Sequence, residues 1–265
     1  MAFDQLKLEF LRTRLEDGVA IIELNRHPAN AHHTPMILDL DRAVMEVRFD
    51  ERVKCAILAS ASEKFFSAGA DIAMIRDESG EQVGLLSQTS KEVIMKMRSV
   101  PKVFLGVVNG HCMGGGLELA LACDYRYAGR GSWKVGLPEV NLGLIPGEGG
   151  TQMLGRILGP ERALKLMITG ETFGPEQATE WGLFNELTDA DKVWDTAMAF
   201  ARQIAAGPTR AIGFMKDALS HGLEMPLAAA LDYERQLQNQ LFDTADSKEG
   251  VRAFLEKRTP KFTGK

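Results

Sequence analysis

Apolar residues recur along this chain with two spacings, and their alternation predicts the order of its elements. Strand-like runs at residues 6–10 (LKLEF) and 11–24 (LRTRLEDGVAIIEL) lead through Asp17-Gly18, a dipeptide suited to a tight hairpin, so the chain opens as β structure. After residues 25–35 (NRHPANAHHTP), Ile37, Leu40, Val44 and Val47 follow helical spacing, with Asp39, Asp41, Arg42 and Glu46 expected on the wet side. Pro35 suits the first turn of that helix, where its missing N–H is not needed. Residues 53–60 (VKCAILAS) form an apolar strand candidate, residues 65–72 (FFSAGADI) a loop, and Val83, Leu86, Val93, Ile94 and Met97 a second helix before Pro101. The run 101–110 (PKVFLGVVNG) is strand-like again.

This order of strand, glycine-bearing loop and helix predicts an α/β fold with a largely parallel sheet covered by helices. Right-handed crossovers put the loops at the carboxyl ends of its strands on one side, bringing residues 68–71 toward residues 114–116. Beyond residue 152, segments 156–170 and 175–187 read as two short helix-and-turn units followed by a short strand. Helices are then expected over 197–205, 208–219 and 226–242, which predicts a C-terminal helical region beginning between residues 190 and 207.

Composition narrows the function classes. Over 265 residues, 31 Lys and Arg stand against 36 Asp and Glu, with no strongly basic block, so nucleic acid is not an expected partner. No run approaches the roughly 18 apolar residues of a membrane span, and residues 1–10 lack the pattern of a secretory signal. Cys55, Cys112 and Cys123 are odd in number and not spaced as metal ligands, which fits a reducing, cytoplasmic compartment. His27, His32, His33 and His111 show no ligand spacing, so no metal is expected. The glycines 114–116 match neither a phosphate-binding P-loop nor a dinucleotide fingerprint.

Two stretches carry candidate chemistry. Residues 107–124 (VVNGHCMGGGLELALACD) place Glu118 in an apolar run after three glycines, and residues 135–152 (VGLPEVNLGLIPGEGGTQ) place Glu139 between a proline and an apolar run. Two carboxyl groups beside glycine-rich turns suit paired acid/base chemistry next to backbone N–H donors. Spacing alone equally allows two ordinary exposed acids.

The ordered set 25–31 (NRHPANA), 66–72 (FSAGADI), 108–124, 136–147 (GLPEVNLGLIPG), 149–152 (GGTQ), 169–170 (TG) and 178–184 (ATEWGLF) resembles the enoyl-CoA hydratase/isomerase, or crotonase, family over nearly the whole chain. The resemblance implies a spiral of ββα units over residues 1–195 and a helical region, 196–265, serving oligomerisation and the CoA channel. It further implies homotrimers, often paired into hexamers, and an acyl-CoA thioester substrate without a separate cofactor. The expected reaction is hydration of a trans-2-enoyl-CoA to a 3-hydroxyacyl-CoA in fatty acid metabolism. An isomerase or acyl-CoA hydrolase of the same superfamily is the nearest alternative, and a non-catalytic acyl-CoA binder a more distant one.

By that resemblance Glu118 and Glu139 match the two catalytic glutamates of the hydratases, and Ala70 and Gly115 the backbone donors of the oxyanion hole. Arg26, Ala29, Ala31, Ala68 and Ile72 match CoA-lining regions, and Phe254, Lys257 and Phe262 are expected near the adenine or phosphates, across an oligomer contact. Asp71 is expected to organise its own loop. The chain departs from the family in three places. Ile72 is followed by Ala73 and Met74, where a lysine is usual; an extra residue falls within 129–134 (GRGSWK); and Glu148 replaces a small residue. A third acid there either tunes the pocket or faces solvent.

Overall fold

The computed structural model describes residues 2–265. Asp17 and Gly18 both take positive φ, 51° and 80°, as a two-residue hairpin requires, and join β1 (Leu11–Glu16) antiparallel to β2 (Val19–Leu24). Residues 6–10, expected to extend this β structure, form no strand. Their place is set instead by Asp39, which is buried rather than solvent-facing and accepts the backbone N–H groups of Glu9 and Phe10.

Three successive ββα units follow helix α1 (Thr34–Phe49). They are β3 (Cys55–Ser60) and β4 (Phe65–Ser67) with α2 (Ile72–Asp77) and α3 (Gly80–Ser99); β5 (Phe104–Val108) and β6 (His111–Met113) with α4 (Gly115–Leu121); and β7 (Tyr125–Gly129) and β8 (Val135–Gly136) with a 3-10 turn (Glu139–Leu142) and α5 (Gly150–Leu158). The first strand of each unit enters a six-stranded sheet of order β1-β2-β3-β5-β7-β9, closed by β9 (Glu186–Thr188) after α6 (Pro160–Thr169) and α7 (Pro175–Glu180). The second strands form their own three-stranded parallel sheet, β4-β6-β8. The chain therefore winds as the expected spiral, and the second sheet is the part that hydrophobic periodicity does not predict.

Alternation along the central strands sorts side chains onto two faces. Ile21, Ile57, Leu105 and Tyr127 pack with Ala197, Ala201 and Ile204 of α8 (Val193–Ala205), whereas Ile22, Leu58 and Phe104 join Met36, Leu40 and Val44 of α1. Each fully buried aliphatic of this kind contributes about 1.5–3 kcal/mol. The chain ends in α9 (Thr209–Gly222), α10 (Leu227–Asn239) and α11 (Ala245–Leu255); the last helix is additional to the three predicted.

Buried Lys216 anchors α9. Its Nζ donates to the carbonyls of Met97 and Lys102 and pairs with Asp124 at 2.8 Å. Cys55, Cys112 and Cys123 are buried free thiols. Among the described residues no helix is long and apolar enough to cross a membrane.

Candidate active site

Glu118, Glu139, Ala70 and Gly115 come from three different ββα units and line one cavity of about 660 Å³. Gly114 makes the turn between β6 and α4 with φ 53° and ψ −129°, a backbone geometry that L side chains rarely adopt. That turn puts Glu118 in the first turn of α4, where it is 1% exposed. Its Oε1 accepts the backbone N–H groups of Glu148 at 2.8 Å and Gly150 at 2.6 Å. Glu139 begins the 3-10 turn after β8, with Oε1 3.0 Å from where a Cβ on Gly114 would stand and Oε2 buried without a hydrogen-bond partner. Both acids thus reach the same glycine-lined wall. Within 129–134, where an extra residue is expected, Trp133 folds inward and donates Nε1–H to the Gly129 carbonyl, and the two acids line one cavity.

Across the wall, the loop between β4 and α2 is pinned by an isolated parallel bridge. His32 N–H donates to the Gly69 carbonyl and Asp71 N–H to the His32 carbonyl, both flanking Ala70. Neither the Ala70 nor the Gly115 amide N–H donates to another group among the described residues. The wall therefore carries two free donors beside buried Glu118 and half-buried Glu139, and can receive developing negative charge on an oxygen while a proton moves nearby.

Glu148 is a member of this cluster that its position in a glycine-rich loop does not reveal. It is 6% exposed, so the solvent-facing alternative does not hold, and its carboxylate meets Nδ1 of fully buried His32 at 3.0 and 3.2 Å. The pair sits against Gly115: a Cβ there would lie 2.8 Å from His32 Nδ1 and 2.9 Å from Glu148 Oε1. Burial opposes charge on His32, but the Glu148 carboxylate overrides it and holds the imidazole above its usual range. Burial, then the Glu148 charge, push Glu118 up to about 8 against the pull of its two backbone donors, with Glu139 adding a smaller push. Burial chiefly, with Glu148 assisting, also raises Glu139.

The expected CoA contacts divide. Ala68 and Ile72 line the cavity. Arg26 is held in place by Asp71 at 2.6 Å and the Ala31 carbonyl at 2.9 Å, while the Ala29 carbonyl accepts the Ala68 N–H. Asp71 organises its loop as expected, capping α2 through the N–H groups of Ala73 and Met74. Phe254 is 83% exposed on α11, Lys257 follows that helix, and Phe262 packs against Gly250; none of the three lines the cavity of this chain. Periodicity also misses the apolar mouth formed by Leu142, Leu144 and Ile145, of which Ile145 is 76% exposed.

Comparison with known proteins gives the chain its family. The family model for enoyl-CoA hydratase/isomerase matches residues 14–265. A crotonyl-CoA hydratase from Syntrophomonas wolfei is 33% identical, with 100% of each chain covered. A 1,2-epoxyphenylacetyl-CoA isomerase from Escherichia coli K12 is 35% identical over 97% of this chain and 100% of its own. A crystal structure of an enoyl-CoA hydratase from Geobacillus kaustophilus HTA426 superposes with a TM-score of 0.96 at 41% identity, covering 98% of each chain. With its ββα spiral and its whole length matched, the chain is an enzyme of the enoyl-CoA hydratase/isomerase family, within the crotonase superfamily.

Proposed function

We propose that this enzyme adds water across the 2,3 double bond of a trans-2-enoyl-CoA to give a 3-hydroxyacyl-CoA. The observation that carries this reading is the pair of acids, buried Glu118 and half-buried Glu139, lining one cavity with the free amides of Ala70 and Gly115. The thioester oxygen accepts from the two amides, so charge that develops as the enolate forms meets two directed donors; one comparable donor is worth about 2.7–4 kcal/mol elsewhere. Water held by Glu118 adds its oxygen to C3 and passes a proton to the Glu118–Glu139 pair, and the pair delivers its shared proton to C2 chiefly through Glu139. The net change is one water added, and the acids work in the singly protonated form of a coupled pair.

The apolar mouth at Leu142, Leu144 and Ile145 suits an acyl chain, and the reaction calls for no cofactor beyond the CoA of the substrate. The helical region 196–265 is assigned to subunit contacts in a homotrimer or hexamer. Met215, Leu219, Leu223 and Leu227 present exposed apolar surface along α9 and into α10.

A panel of enoyl-CoA thioesters, assayed without added metal or redox cofactor and with product identification, tests the reaction. Formation of 3-hydroxyacyl-CoA is expected. Double-bond migration or free CoA release in its place would move the assignment to the isomerase or hydrolase branch. Light-scattering mass at several concentrations tests the assembly, and a fully active monomer would reject it.

A further inference from the structure

We propose that Glu148, clamped by His32, is a positioning residue that holds a proton on the Glu118–Glu139 pair and so sets the alkaline end of the enzyme's working range. The proposal rests on the hydratase reading for its kinetic consequence, and on geometry for its cause. Glu148 is placed to act on Glu118 in two ways. Its backbone N–H donates to Glu118 Oε1 at 2.8 Å, and its carboxylate stands in the same dry wall, against Gly115 and facing the cavity that Glu118 lines. His32 Nδ1 reaches both Glu148 oxygens, at 3.0 and 3.2 Å, which fixes where that carboxyl stands. Once His32 has lost its own proton, a carboxylate held beside two further acids makes loss of their last shared proton unfavourable. The upward push on Glu118, to about 8, has burial as its first cause and the Glu148 charge as its second.

The charges around this cluster leave Glu148 as the main neighbour of like sign. From residues 25–33 come His32, His33 and Arg26; Arg26 is neutralised by Asp71 at the start of α2. From the turn after β8 comes Glu139. On its far side Glu148 borders a second cavity of about 690 Å³, lined also by Lys91, Arg98, Arg156, His221 and Glu224. Of all the charged groups, Glu148 is the one that acts most strongly on Glu118.

The test uses Glu148→Gln, whose amide oxygen can still accept from His32, and Glu148→Asp, which retains the charge. The alkaline limb of the kcat/KM profile for Glu148→Gln is expected to move to lower pH by on the order of one unit, with Glu148→Asp staying near wild type. An unmoved limb in folded Glu148→Gln, or equal shifts in both variants, overturns the proposal, since a merely structural role would not follow charge. Infrared pH-difference spectra of glutamate-labelled wild type, Glu118→Gln and Glu148→Gln test the cause without any assay. A protonated carboxyl band that persists at neutral pH in wild type, vanishes in Glu118→Gln and is lost at lower pH in Glu148→Gln is expected; a band that titrates at the same pH in wild type and Glu148→Gln overturns the proposal. If wild type hydrates no enoyl thioester, the hydratase reading fails while the infrared result still decides this one.

Discussion

Glu118 Oε1 accepts the N–H of Gly150 at 2.6 Å, so the first turn of α4 and the start of α5 are joined through a side chain that also faces the cavity. Glutamine can keep this hydrogen bond through its amide oxygen but cannot exchange a proton. Glu118→Gln and Glu139→Gln are each expected to lower kcat by about 10²–10⁴-fold with little change in folded fraction or CoA binding. Near-normal turnover in either folded variant would remove that acid from the mechanism.

Gly150 has no room for a side chain. A Cβ there would stand 2.9 Å from Glu118 Cγ and Oε1 and from Leu137 Cδ1, so Gly150→Ala must displace the acid. Displacement of about 1 Å can cost on the order of 10²-fold in rate, and overpacking about 1–3 kcal/mol in stability. Gly155→Ala on the same helix meets nothing within 4 Å and serves as the control, expected to be stabilising by about 1 kcal/mol with normal kinetics.

A buried acid that resists ionisation makes the folded state sensitive to alkali. The unfolded chain ionises Glu118 near its ordinary pKa of 4.5, the folded chain only near 8, so stability present below 4.5 is lost as pH rises toward 8. Glu118→Gln removes that loss. Its Tm relative to wild type is expected to climb between pH 5 and pH 8 and then level off, the stability difference growing by about 1.4 kcal/mol for each pH step of one in that window. A Tm difference that stays flat across this range would show that the site does not hold the proton.

Lys216 lies outside the cavity and its removal is expected to separate stability from catalysis. Lys216→Met leaves Asp124 and the carbonyls of Met97 and Lys102 without their shared donor, with an expected loss of about 3 kcal/mol in urea denaturation. Turnover per folded molecule is expected to stay normal.

Features resting on neighbouring residues are legible from the chain alone. The Asp17-Gly18 hairpin, the α1 stripe and the parallel succession of strands follow from local spacing, and Glu118 and Glu139 from motifs that surround them. Strands β4 and β6 are three residues each and owe their existence to pairing with one another, so no periodicity announces them. Asp39 sits on the helix edge that spacing marks as wet, yet the backbone of residues 9 and 10 reaches back to claim its carboxylate. The His32–Glu148 pair joins residues 116 positions apart; Glu148 stands out as an acid where the resemblance puts a small residue, but neither segment announces the partner.

The two hydrogen bonds on either side of Ala70 have a consequence for timing. With the His32 backbone gripping both Gly69 and Asp71, the peptide plane that carries the Ala70 N–H is oriented during folding, before any ligand arrives. On the proposed reaction, a thioester oxygen entering the cavity meets a dipole that has no rotation left to make, whereas water would have to turn its own dipoles as the enolate charge grew. This preorganisation places the reorganisation cost in the folding of the ββα spiral and leaves little of it in the reaction barrier.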